Sequence, residues 1–442
     1  MSANNDTLVK TKLAKVGKSH SYKKLRKRKN KINKQNRIRN EKYCVAEDIL
    51  LERQNHDQNS NFVVNIDNIG SYASVKMWRF LKLKLQKDFP NIVTKQSDCV
   101  GDINDIIEQE KNLVNFFKQI SVLDVQEEEV TKATDAYIFD KFETRIESLF
   151  LTLLYIMIDI ERRKEIKTIA PSLYQYTTLP NYKSHCSADT NIYFKNKFTI
   201  ASIGGACGND IVGAIAFLLS CIKDIEYIDA ISYDFSKSWN KSCTLINKIF
   251  NSNHGNEEEF ENIISNIKKL FHKCKQVQTS PNNGSDSDDD TTTTSTTPNS
   301  GSNKTSQKTK TINLQYQQCD LKQSINDERN KHILGNIKAF GLFIFSYVVF
   351  ETDACKFKLL PEILKRSNPN SIFVFLDPHK KTMDDILTLI STLESSIEKE
   401  EANNGNTHKL FEIVQCKSSS FYQFKGIVLF KVPPRQHGNQ NK

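Results

Sequence analysis

No CxxC pair occurs among the ten cysteines, which are scattered from Cys44 to Cys416, and none groups with histidine at metal-ligand spacing. Neither a disulfide framework nor a zinc module is indicated, and a reducing compartment, cytosol or nucleus, is the expectation. Long apolar runs are missing as well. Phe150 to Ile158 and Leu342 to Phe350 are the longest nearly uninterrupted ones, well short of the ~18 residues a membrane span needs. No secretory signal precedes them, so no membrane partner is expected. Hydrophobic residues make up only 38% of the 442, low for a compact chain, so part of it is expected to remain disordered.

The net charge of +10 is concentrated in one place. The first 45 residues hold 15 Lys and Arg against Asp6 and Glu41, which leaves the remainder mildly acidic. The stretch KSHSYKKLRKRKNKINKQNRIRN has almost nothing to bury and must stay solvated or fold on a partner. Such an arm binds phosphates by counterion release, with a steep salt dependence, and Lys23 to Lys29 reads as a nuclear or nucleolar address. RNA is the expected partner of residues 1–45.

The rest of the chain is organised around Phe198 to Asp210, FTIASIGGACGND. Phe198, Ile200 and Ile203 suit a strand buried on both faces. Gly204, Gly205 and Gly208 follow at once, and Ile211 to Ile222 reads as a helix with Gly213 inside it. A strand, a glycine turn and a helix start form a site where bare backbone approaches a nucleotide-like ligand.

Upstream, residues 46–190 read as a helical N-terminal domain. Val75, Trp78, Leu81 and Leu85 form one stripe at helical spacing. Ile103, Ile106, Ile107, Leu113, Phe117 and Ile120 form a second, and Phe142, Ile146, Leu149, Phe150, Leu153 and Met157 a third. Lys76, Arg79, Lys82, Lys84 and Lys87 extend the basic surface or simply face water.

Downstream, Tyr227 to Tyr233 reads as a second strand stopping at Asp234, which sits where a carboxylate reaches a ribose or caps the helix Lys237 to Phe250. Glu257 to Cys274 is helical. Residues 276–310 form a low-complexity insertion that cannot build a core. A third strand, with Ile312, Leu314 and Tyr316, ends near Cys319 and Asp320. Gly341 to Phe350 predicts a fourth ending at Glu351, Ser371 to Leu376 a fifth, and Leu410 to Cys416 with Gly426 to Val432 a terminal hairpin.

Five strands alternating with helices, then an antiparallel pair, over about residues 191–435, resemble the class I S-adenosylmethionine-dependent methyltransferase family; residues 436–442 are a tail. The resemblance implies an α/β fold with a seven-stranded Rossmann-like sheet. It places the methionine part of the cofactor, S-adenosyl-L-methionine, against Gly204, Gly205 and Gly208. Asp234 is implied at the ribose, and Asp320 at the adenine amino group with Cys319 and Leu321 beside the ring. Asp210 or a backbone carbonyl is implied at the cofactor's amino group. The segment Phe345 to Thr352 would line the reacting centre, with Glu351 near the acceptor and Tyr347 and Ser346 shaping it. No metal is called for.

The chain departs from the family at Ser202, where an acidic residue is usual, and at Ala206, where a glycine is usual. It lacks the Asn/Asp-Pro-Pro-aromatic signature of many base N-methylating enzymes and the catalytic cysteine motif of the cytosine-C5 type. An RNA methyltransferase is the leading expectation. A protein methyltransferase and a non-catalytic RNA-binding or assembly factor are the alternatives. A nicotinamide-dependent oxidoreductase fits less well, because the glycines are spaced GGxxG instead of GxGxxG.

Overall fold

The structure is a computed structural model. It describes residues 36–51, 64–88, 127–163, 197–222, 225–251, 256–279, 310–349, 358–369, 371–377, 379–402, 410–417 and 425–431, with isolated positions before residue 36. The stripe from Ile103 to Ile120, the stretch 280–309, Glu351 and residues 432–442 lie outside them.

Seven strands form one mixed sheet: β1 Lys197–Ile203, β2 Tyr227–Asp234, β3 Thr311–Gln318, β4 Leu342–Ser346, β5 Ile372–Asp377, β6 Phe411–Lys417 and β7 Lys425–Lys431. Their order is β3-β2-β1-β4-β5-β7-β6. The first five are parallel, and β7 enters antiparallel between β5 and β6, with Val374 opposite Val428. The α/β class and the terminal antiparallel pair are thus present.

Alternation along each strand splits the core in two. Phe198, Ile200, Ile228, Ala230, Leu342, Ile344 and Val374 face one side. Ala201, Ile203, Ile231, Tyr233, Phe343, Phe345, Phe373 and Phe375 face the other. There the rings of Phe343 and Phe373 stack at 4.9 Å and those of Phe345 and Phe375 at 4.6 Å. The second side is covered by α7 Lys331–Asn336, α8 Leu359–Arg366 and α9 Lys380–Ala402.

The first side carries more helix than the sheet alone requires. Helix α4, Asn209–Cys221, is buried at every position from Asn209 to Ser220, and a helix apolar all round needs cover on its outer face as well. That cover comes from the N-terminal helices: α1 (residues 36–51), α2 Ile66–Asp88 and α3 Glu127–Arg163, joined by α5 Trp239–Phe250 and α6 Asn256–Thr279. Residues of α2 and α3 belong to one continuous core with those of α4 and the sheet. The N-terminal helices therefore do not form a core of their own, as a separate domain over 46–190 would.

Other boundaries move for equally local reasons. The basic arm gives way to structure before residue 45: residues 36–51 are helical, with Ala46 and Ile49 buried and Lys42 paired to Asp67 at 2.7 Å. Helix α6 runs to Thr279 and takes the first residues assigned to the insertion. Strand β4 stops at Ser346, five residues before Glu351: the Tyr347 N–H makes the last β4–β5 ladder bond, to Leu376 O, and the residue then turns out of the strand at a left-handed φ of 63°.

Candidate functional site

The carboxyl ends of β1 and β4 lie side by side where the strand order reverses, since the chain leaves β1 toward β2 and β3 and returns to β4. In open α/β sheets ligands occupy the crevice at such a switch point. The glycine turn stands there. Gly204, Ala206 and Gly208 have φ of 67°, 45° and 83°, so three residues in five hold a left-handed conformation and one of them is not glycine.

Two neighbouring strand ends hold the turn. The Gly204 and Gly205 amides donate to Tyr233 O at 2.7 and 3.2 Å. The Ala206 amide donates to Asp234 Oδ2 at 3.1 Å, and Ser232 Oγ donates to Ala206 O at 2.9 Å. A Cβ on Gly205 would collide with Ser202 Oγ and lie 2.8 Å from Ser232 Oγ. Only glycine passes between those serines, which are register partners on β1 and β2.

Asp234 is half-buried, and each of its oxygens already accepts a backbone donor: Ala206 on one side, Ser236 at 3.2 Å on the other. It does not cap α5, whose N-cap is Ser238. Burial pushes its carboxyl up to about 6, against the lowering effect of those donors. One strand on, Cys319 donates its amide to Asp234 O at 2.9 Å, which ties β3 to the same rim. Cys319 itself is fully buried, and burial raises its thiol.

Asp320 follows, its backbone held by the Asn330 side-chain amide: Asp320 N–H donates to Asn330 Oδ1 and Asn330 Nδ2 donates to Asp320 O, each at 2.9 Å. Its carboxylate takes Lys322 N–H at 3.0 Å and the Arg329 guanidinium at 2.7 Å. The structure thus brings the glycine turn, Asp234, Cys319 and Asp320 to one rim of one sheet.

The side nearest β4 is filled. Val348 packs directly on Gly204, so a Cβ there would overlap it. Arg145, from α3, donates through one guanidinium nitrogen to both Ser346 O and Ser346 Oγ at 2.9 Å and lies 3.5 Å over the Tyr347 ring. Ser346 and Tyr347 are therefore engaged from behind by a buried cation. Asp210 is 2% exposed and keeps one oxygen without a partner. Burial pushes its carboxyl up to about 6, with Arg145 and Ser346 acting in the opposite direction. Ser202 Oγ and Asn209 Nδ2, also buried, have no hydrogen-bond partner among the described residues.

Sequence reasoning missed Arg145, Arg329 and Asn330. Arg145 carried a signal: it stands three residues after Phe142 and four before Leu149, a charge on the apolar stripe of α3 that needs a buried partner. Arg329 and Asn330 carried none, because their partner lies across a turn that no periodicity reveals. Among the described residues no group of three or more His, Cys, Asp and Glu could hold a metal, and no helix is long and apolar enough to cross a membrane.

The chain matches no protein-family model and no curated protein. What the site does rests on its chemistry.

Proposed function

We propose that the protein is a class I, Rossmann-like S-adenosylmethionine-dependent methyltransferase acting on RNA in the nucleus or nucleolus, with the basic arm holding the substrate by its phosphates. One observation carries the reading: the Ala206 amide of the left-handed turn is bonded to Asp234 at 3.1 Å at the β1/β4 switch point, with Asp320 one strand further along the rim.

The residues present fit the cofactor. Ser202 Oγ, Asn209 Nδ2 and Asp210 Oδ1 are buried polar atoms without partners beside the turn, and such atoms are normally satisfied by a ligand or water. Two backbone donors leave the Asp234 carboxylate lone pairs for ribose hydroxyls. Asp320, with Cys319 and Leu321, would meet the adenine, and Asp210 the amino group. S-adenosylmethionine supplies a methyl group already activated for displacement, so the chain's task is to orient donor and acceptor in line. Glu351 stays the candidate nearest the acceptor on sequence grounds.

A second reading, a non-catalytic RNA-binding or assembly factor, is favoured by Val348 lying on Gly204 and Arg329 occupying Asp320. Incubating the full chain with a methyl-tritiated donor and, separately, total RNA and nuclear protein distinguishes them. Label in RNA is expected. Label in protein alone replaces the substrate class, and label in neither supports the non-catalytic reading.

A further inference from the structure

Helix α3 enters the sheet's carboxyl rim from a part of the chain far from the strands that build it. Its contact with α4 is close and parallel: Ile146 meets Gly213 and Phe150 meets Phe217. Arg145 therefore stands level with the start of α4, and it is buried to 7% exposure. Burying a guanidinium is costly unless acceptors surround it. Here they are Ser346 O and Oγ, the face of the Tyr347 ring, and the charge of Asp210.

What Arg145 holds is a strained piece of backbone. Tyr347 is a bulky residue at φ 63°, a conformation that persists only when its surroundings over-determine it. Arg145 supplies two such contacts, the stack on the Tyr347 ring and the bonds to the preceding residue, just where the last β4–β5 ladder bond, 2.6 Å from Tyr347 N to Leu376 O, anchors the amide. The next residue, Val348, is the one that lies on Gly204.

We propose that Arg145 is a positioning residue: it sets the Ser346–Val349 segment against the glycine turn and so fixes the acceptor side of the site from the N-terminal helical layer. The role in methyl transfer rests on the methyltransferase reading; the holding of the segment does not. The N-terminal helices are then part of the site's framework, and the segment's geometry depends on α3 staying docked.

The test compares Arg145→Met and Arg145→Lys with wild type in the full chain, each checked by circular dichroism and thermal melting. Amide hydrogen exchange is read at Ser346–Val349 and Gly204 against α9 as an internal reference. Calorimetry with S-adenosylhomocysteine and turnover on total RNA follow.

Arg145→Met is expected to speed exchange at Tyr347 by roughly tenfold or more, with α9 unchanged. Its kcat should fall about 100-fold at nearly constant KM for the donor. Arg145→Lys keeps a donor for Ser346 but loses the planar stack, so it should recover part of both effects. Unchanged exchange at Ser346–Val349 in a folded Met variant overturns the proposal, as does a uniform rise across α9 as well. Should the Met variant fail to fold, Arg145→Lys takes its place, with a smaller rise in exchange expected and the same overturning results. If wild type binds no S-adenosylhomocysteine, the methyltransferase reading fails and exchange alone decides whether Arg145 holds the segment. If wild type binds it and the Met variant keeps wild-type exchange and turnover, the positioning role fails and the reading stands.

Discussion

Gly213 of α4 faces the Ile146 carbonyl of α3 so closely that a Cβ would stand 2.7 Å from that oxygen. The obstacle is backbone, which cannot rotate away. Gly213→Ala therefore sets two effects against each other: about 1 kcal/mol gained in helix propensity, and an overpacked helix contact costing about 1–3 kcal/mol or more. The contact is expected to win, with Tm falling by several degrees in a thermal melt. A rise in Tm would mean that α3 does not dock where described.

Asp234 has a structural task beside the proposed ligand one, so its variants should separate. Asp234→Ala leaves the Ala206 and Ser236 amides without their acceptor and should cost about 2–4 kcal/mol of stability. Asp234→Asn retains one acceptor and should lose less stability while weakening S-adenosylhomocysteine binding at least tenfold. Denaturant melts beside calorimetry check both. Equal stability losses in the two variants would remove the structural role.

The raised carboxyls predict a definite pH dependence. Asp210 titrates near 6 in the fold against 3.8 as the ordinary value, so between those values the native state binds more protons than the unfolded one. Its contribution to stability is full below about pH 4 and is lost as pH rises through 6. Asp210→Asn cannot titrate, so its Tm relative to wild type should climb between about pH 4 and 6 and level off above. Asp234, also near 6, must be ionised to accept fully from hydroxyl donors, so ligand affinity should strengthen as pH rises through 6. A pH-independent difference in Tm would remove Asp210 from the account.

Among the described residues, the buried contacts of the N-terminal helix and its ion pairs with other helices all lie at or beyond residue 39. Removing residues 1–35 deletes 12 of the 15 N-terminal cations yet spares Arg39, paired with Glu143 at 3.4 Å, and Lys42. That truncation should leave Tm unchanged, weaken RNA binding and flatten its salt dependence. Removing residues 1–51 should also lower Tm, since Ala46 and Ile49 are buried. Unchanged RNA affinity without residues 1–35 would end the arm's proposed role.

The strands were legible because they are buried on both faces: Phe198 to Ile203, Tyr227 to Tyr233 and Ser371 to Leu376 are apolar runs that turns and carboxylates punctuate. The site's rim was legible from two patterns: Asp234 stands where the run Tyr227 to Tyr233 stops, and Asp320 follows the alternation of Ile312, Leu314 and Tyr316 in edge strand β3. The end of β4 was not. Tyr347 and Val348 look like strand residues, and the left-handed turn at Tyr347 coincides with the Arg145 stack, a contact from a distant helix that local sequence does not reveal. Nor was the docking of α3, although α4 already implied it: a helix with apolar residues on every side announces a second covering layer without saying which segment supplies it.

Calorimetry of the intact, folded chain with S-adenosylhomocysteine tests the central claim most directly. The account predicts one site per chain with micromolar affinity, about −8 kcal/mol, weakened at least tenfold by Asp234→Asn. Absence of binding at about millimolar ligand, with the fold intact by circular dichroism, would contradict it and leave a methyltransferase-like scaffold without its cofactor.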